Sequence, residues 1–439
     1  MMRRIIAFFI RIMLLLSLTL ASLSSWASCK TTGVAQTEDN RTAQIPFGKV
    51  NIYDSYFYPI GSLLASVVVP PTNYTFKGAS ASSVLWECDA ADLSSIYFLV
   101  ATNGDHWLGG HNEIGTIDNL PDVYATYFAY VGLKQTMNGV VLSRYWKKVP
   151  VNTYATSGKK IQIRLQDIPP LQAELYRVSQ LPTRGGGPAY SCTSFVTGST
   201  TGTLYNCIQP NAYIQLVGPR LIHDNIGEDS NSHWSFWGVD NGFGYGMRGV
   251  NTLYNTPTCV ARSATPLVKL PAISATELNA GRTSAASFNV SVECSDSVKS
   301  GTNNAQAALG FQVSPGAYST AKSLGLVNSS NGVSLLLSDN YTDANMAQGV
   351  GISIAYGNNP GSPLTLIGQN NGIDPLNNIY MGSNAGWYPV LNNALPAGSS
   401  QSGYTHYNYD FIATLKKIQG QSVTTGKVRA TATVLVRIQ

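Results

Sequence analysis

The last stretch of the chain constrains the fold most. Val428, Ala430, Ala432, Val434, Val436 and Ile438 occupy alternate positions, with Arg429, Thr431, Thr433, Arg437 and Gln439 between them. A period of two puts the apolar side chains on one face of a strand, which must therefore pack on a core. No turn signal or further element follows to cover the remaining edge. The strand is expected to offer open backbone groups and an apolar face to a partner.

The same alternation recurs upstream. Phe288, Val290 and Val292 point one way in 287–294, and Tyr407, Tyr409, Phe411, Ala413 and Leu415 alternate with His406, Asn408, Asp410, Thr414 and Lys416, with Ile412 alone out of pattern. Earlier runs at 95–100, 123–131 and 160–165 are β-branched and aromatic, bounded by Gly, Asn, Asp or Pro, and read as strands. Apolar residues make up 44% against only 12% charged, with 41 Gly and 24 Tyr, a balance that suits short strands and polar turns better than helices. The chain is expected to be all-β.

At the other end, Arg3 and Arg4 precede a nearly continuous apolar run, and Ser25-Trp26-Ala27 supplies small residues for a signal peptidase. Residues 1–27 are expected to be a signal peptide, because Arg11 splits the run below a comfortable bilayer span. The remainder, about 410 residues, suits two domains better than one. The turn-forming stretch NTLYNTP at 251–257 marks the boundary, giving domains 28–255 and 256–439. Six cysteines in an exported chain point to disulfides, and pairing neighbours (Cys29 with Cys88, Cys192 with Cys207, Cys259 with Cys294) keeps each bridge inside one domain. The Cys192–Cys207 bridge would staple a loop holding Gly185-Gly186-Gly187-Pro188. The formal charge of +5 is scattered without a basic run, so no nucleic-acid partner is expected.

The region from Cys259 to Gln439 resembles the C-terminal pilin domain of chaperone–usher fimbrial subunits. The resemblance rests on Gly426 followed by Ala432, Val434, Val436 and Ile438, on the Cys259 to Cys294 spacing, on Leu270-Pro271-Ala272-Ile273-Ser274-Ala275, on Gly349-Val350-Gly351-Ile352-Ser353-Ile354, and on Phe411-Ile412-Ala413-Thr414-Leu415 with Gly420. One departure is Ile438, where that family commonly has Tyr. The resemblance implies an incomplete immunoglobulin-like sandwich lacking its last strand, completed from outside by strand donation. Its implied partners are a periplasmic pilus chaperone, an outer-membrane usher and the next fimbrial subunit. The chaperone would pair along 428–438, at Gly426, Val428, Ala430, Ala432, Val434, Val436 and Ile438, and capture the Gln439 carboxylate.

Because the chain opens with Ser28-Cys29-Lys30 and then a long β-rich region, it lacks a free donor segment and is expected at a fimbrial tip. By analogy with two-domain tip adhesins, its N-terminal domain would be a lectin-like jelly-roll or immunoglobulin-like sandwich binding a host glycan or glycoprotein. Sugar sites combine an aromatic platform with amide and carboxylate groups. Two segments have that mixture: 103–113, with Asp105, His106, Trp107 and Asn112, and 233–245, with Trp237, Asp240 and Asn241 reaching solvent while Trp234, Phe236 and Val239 face inward. Tyr124, Tyr127, Tyr130, Tyr145 and Trp146 read as core. A zinc ion on His106 and His111 would need His223 or His233 as third ligand, and the spacing does not call for it. No metal or cofactor is assigned. The chain has no Gly-x-Ser-x-Gly or His-Glu-x-x-His motif and no distinctive carboxylate pair, so it is not read as an enzyme. A structural adaptor or assembly-initiating subunit without a receptor is the alternative.

Overall fold

The computed structural model describes residues 28–34, 41–182, 192, 194–369 and 381–439. The expected signal segment and the Gly185-Gly186-Gly187-Pro188 run lie outside them. The fold is all-β, with helix among the described residues confined to Ala275–Asn279, Pro315–Ser323 and isolated short turns. Strands up to Tyr254 pair only with one another, and so do strands from Cys259 onward.

In the N-terminal half, one sheet runs Lys147–Pro150, Tyr97–Thr102, Ala212–Val217, Gly242–Gly246 and Ala43–Gln44. A second runs Leu63–Val69, Leu171–Arg177, Val131–Met137 and Tyr124–Ala125. The core includes Trp86, Phe98, Phe128, Tyr205, Phe243 and Tyr245. Ala212–Val217 is buried on both faces. Ala212, Ile214 and Leu216 enter this core, while Tyr213 and Val217 meet Trp146 and Phe236 on the opposite side. A loop thus covers the outer face of the sheet, and that loop carries one of the candidate segments.

Three expectations fail here. Residues 123–131 do not form one strand: after Tyr124–Ala125 the Thr126 hydroxyl donates to Val131 O at 2.8 Å and accepts from Phe128 N at 3.1 Å. These bonds turn the chain, with Tyr130 in the left-handed region at φ 59°, before a new strand starts at Val131. Tyr130 and Tyr145 are exposed rather than core. The stretch expected to be a linker turn instead contains the strand Asn251–Tyr254, parallel to Gly48–Asn51.

In the C-terminal half, one sheet orders Cys259–Ala264, Ser284–Ser295, Tyr404–Lys417 and Val350–Tyr356. The other places Ala307–Val313 beside Leu366–Ile367 and Tyr388–Pro389, with Ala432–Ile438 along its free side. Phe288, Phe311 and Phe411 meet between the sheets, with Phe311 edge-on to Phe411 at 4.9 Å. Leu270-Pro271-Ala272-Ile273-Ser274-Ala275 forms no ladder. Ser274 instead caps the helix Ala275–Asn279 in a reciprocal pair with Glu277. Disulfides join Cys29 to Cys88, Cys192 to Cys207 and Cys259 to Cys294.

The halves meet through a polar clasp. Glu293, fully buried on strand Ser284–Ser295, accepts from Tyr56 Oη at 2.9 Å, Ser400 Oγ at 2.7 Å and Arg262 Nε at 2.7 Å. Tyr404 stacks obliquely on Tyr56 at 4.5 Å and donates to Asp54 Oδ2 at 2.9 Å. Burial alone would raise the Glu293 carboxyl, but the bonds from Ser400, Arg262 and Tyr56, with the Arg262 charge, hold it below the ordinary range. A folded-state value below the unfolded one gives stability that is present above about pH 4.3, the unfolded value, and lost as pH falls through the folded value. Glu293→Gln should lower stability at pH 7 by about 1.5–3 kcal/mol, the worth of bonds to a charged group. It should also shallow the acid-side decline in melting temperature, read by thermal unfolding from neutral to acid pH.

Candidate functional site

The terminal strand Ala432–Ile438 is bonded on one side only. It pairs antiparallel with Ala307–Val313 from Val313↔Ala432 to Ala307↔Ile438. The preceding residues continue that seam: Lys427 N donates to Asn345 O and Ala347 N to Lys427 O, both at 2.9 Å, and Asp339 N donates to Arg429 O at 2.9 Å. Among the described residues no strand pairs along the opposite edge.

Gly426 is required by close approach, not by its dihedrals. A Cβ there would overlap the Ala347 amide nitrogen and the Met346 carbonyl carbon. Beyond it the alternation sorts the side chains. Val428, Ala430, Ala432, Val434 and Val436 turn toward the core but stay only partly buried. Leu435 packs on the other face with Ala308, Ile367, Ala385 and Trp387.

A groove of about 800 Å³ lies beside the segment that leads into this strand, between segment 267–276 and residues 423–430, floored by Val350, Ile352 and Leu415. Val428 and Ala430 line one wall and Leu267, Leu270 and Ile273 the other. An incoming strand would pair the open N–H and C=O groups, and each apolar side chain it fully buries would add about 1.5–3 kcal/mol. Gln439, whose carboxylate the resemblance assigns to chaperone capture, is buried: its N–H donates to Gln306 O at 2.8 Å and a terminal carboxylate oxygen accepts from Ala305 N at 2.9 Å.

At the other candidate site the two loops lie side by side. Arg144 joins them, its Nη1 donating to His111 Nε2 at 3.1 Å and its Nη2 to Asp229 Oδ2 at 2.5 Å. His111 Nδ1 in turn donates to Gly104 O at 2.5 Å. Ser230 Oγ accepts from Gly104 N and donates to Thr102 O, both at 2.9 Å. The result is a braced surface where Asp105 is exposed, Trp107 lies half-buried against the His111 ring at 4.3 Å, and Asn112 donates to Trp107 O at 3.2 Å. Tyr145 stands exposed beside Arg144.

Several assigned residues are structural. His106 is buried, its Nδ1 accepting from Leu108 N at 3.3 Å, and burial followed by the nearby His111 pulls its pKa down to about 4. Asn241 does not reach solvent: it is buried, accepting from Trp86 Nε1 at 2.9 Å and donating to Leu216 O at 3.1 Å and to Ile222 O. Trp237 is half-buried against Tyr213 at 5.3 Å, and Asp240 turns the chain at φ 58°. Trp234 and Val239, expected inside, are exposed, and Phe236 alone of the three fills the core. Arg144, Asp229 and Ser230 carry no local sequence signal, since only the fold brings them together. A zinc ion shared by His106 and His111 does not fit, because Gly104 and Arg144 engage both nitrogens of His111.

The chain is similar to several solved pilus proteins. The P pilus rod subunit PapA is 19% identical over 42% of this chain and 99% of its own, with a TM-score of 0.24. The CupB6 tip adhesin from Pseudomonas aeruginosa is 13% identical over 94% of each chain, with a TM-score of 0.22. The CsuC–CsuE chaperone–tip adhesion subunit complex of Acinetobacter baumannii gives 11% identity over 93% of this chain and 99% of that one, also at 0.22. No curated protein matches. The family model for fimbrial protein matches residues 250–439 and so spans Gly426, the groove and the one-sided strand. Residues 250–439 match the fimbrial protein family.

Proposed function

We propose that the chain is the tip adhesin of a chaperone–usher fimbria, with a receptor-binding domain at 28–255 and a pilin domain at 256–439 that accepts a donated strand. The observation that carries this is the unpaired edge of Ala432–Ile438 together with the apolar groove lined by Val428 and Ala430 just before it, within the region matched as fimbrial protein. The periplasmic chaperone occupies that edge first, and the N-terminal extension of the next subunit replaces it at the outer-membrane usher. Cys29 is bridged to Cys88, and Lys30–Thr31 pairs with Val84–Asp89, so the segment after the expected cleavage point is tied into its own sheet. A subunit that accepts a strand without donating one sits at the tip, exported and displayed on the cell surface.

The receptor site is the braced surface carrying Asp105, Trp107, Asn112 and Tyr145. A half-buried indole beside carboxylate and amide groups suits the apolar face and the hydroxyls of a host glycan. The test is the chaperone-bound full chain on a glycan array. Specific binding that Trp107→Ala weakens at least about tenfold, roughly 1.4 kcal/mol, with unchanged chaperone complex, supports the reading. Absence of binding to any glycan or host glycoprotein would favour the adaptor or assembly-initiating role.

A further inference from the structure

Beside the braced surface, the loop covering the sheet gathers Asp224, Glu228 and His233, whose ligand atoms all lie within 4.8 Å of one another. We propose that these three residues form a binding site for a zinc-class divalent cation. The inference does not depend on the receptor.

Asp224 is buried, at 2% exposure, and no cationic side chain is ion-paired to it among the described residues. A buried carboxylate is normally paired with a cation or ligates a metal. Its orientation is fixed from the core: fully buried Gln215 donates to Asp224 Oδ2 at 3.1 Å and accepts from Asp224 N at 2.8 Å, while Ser235 N donates to Oδ1 at 3.2 Å. Outer partners of this kind hold metal ligands in place. Glu228 is set in the same way, Asn225 donating its backbone N–H to Oε2 at 2.7 Å and its side-chain amide to Oε1 at 3.0 Å.

The spacing fits an ion. Glu228 Oε2 and His233 Nδ1 are 3.4 Å apart. Two ligands at zinc's usual bond length of about 2.0–2.2 Å on a tetrahedral centre are separated by about 3.4 Å. An imidazole with two carboxylates suits zinc, or cobalt in its place, over magnesium or calcium, which prefer all-oxygen sets. Glu228 and His233 are partly solvent-accessible, so a fourth position is open to water or to a ligand donor atom. The other His-containing cluster, His106 with Cys192 and Cys207, is closed to metal because those sulfurs are joined to each other.

The ion would link 224, 228 and 233 across the loop that displays Trp234, Ile222 and Ile226. The test is calorimetric titration of zinc chloride into the EDTA-treated full chain in its chaperone complex, with the chaperone alone as blank, and cobalt absorption as a report on tetrahedral geometry. One ion per chain is expected, with affinity reduced at least tenfold by Glu228→Gln and by His233→Ala. Both positions are partly exposed, so the variants are expected to fold, which circular dichroism checks. Zinc should raise the melting temperature of the wild-type chain and of neither variant. No saturable one-to-one binding up to millimolar zinc, or binding unchanged in both variants, overturns the proposal.

Discussion

Removing residues 432–439 should abolish recovery of soluble chain from the periplasm, even when the chaperone is co-expressed. The deletion strips Ala307–Val313 of its antiparallel partner along its whole length. It also uncovers Ala308, Ile367 and Trp387, which Leu435 covers, and removes buried Ile438. Losing buried apolar side chains costs about 2–5 kcal/mol apiece, and orphaned backbone groups add to that. A typical domain holds only about 5–15 kcal/mol in total. A milder variant separates loss of fold from loss of docking. Val428→Asp places a charge on the half-buried groove wall, ahead of the ladder to Ala307–Val313, so it should block chaperone capture more than it disturbs the sheet. Periplasmic yield and chaperone pull-down report both. Undiminished yield of a stable monomer from the deletion would sink the strand-acceptor reading.

How much of this was legible in the sequence follows from what each residue answers to. The terminal strand was readable because the face turned to the main core is uniformly apolar while the other, Leu435 apart, is polar, which writes a period of two into the side chains. Gly426 was readable as a motif residue, although its reason, contact with the backbone at Met346 and Ala347, is tertiary. Ala212–Val217 shows no alternation because both of its faces are buried. Segment 270–275 matched the fimbrial pattern, yet it contributes a groove wall and a helix cap without joining a ladder. The receptor surface was half visible. Asp105 and Trp107 stand out locally, whereas Arg144, Asp229 and Ser230 become neighbours only when strands far apart in sequence are brought together. Asn241 misled for the opposite reason: an Asn in a turn-like Asp-Asn-Gly stretch reads as solvent-facing, and the fold uses it as a buried cross-link.

That cross-link makes the second large prediction. Asn241→Ala should destabilise the N-terminal half by about 3 kcal/mol or more, since a buried donor or acceptor left unpaired costs about 1–3 kcal/mol and three partners are stranded together. Those partners are the indole N–H of fully buried Trp86 and the carbonyls of Leu216 and Ile222. The alanine also leaves space that the packed core fills only in part. Asp and Leu should do no better, Asp because it keeps the acceptor for Trp86 but buries a charge, Leu because it offers neither bond. The measurement pairs thermal unfolding with receptor binding by the surviving folded fraction. A melting temperature well below wild type, with unchanged affinity per folded molecule, assigns Asn241 to the scaffold. Wild-type stability with lost affinity would return it to the receptor site and contradict its burial between Trp86 and the carbonyls of Leu216 and Ile222. The Trp107→Ala substitution, at a half-buried ring, should show the opposite pair of outcomes.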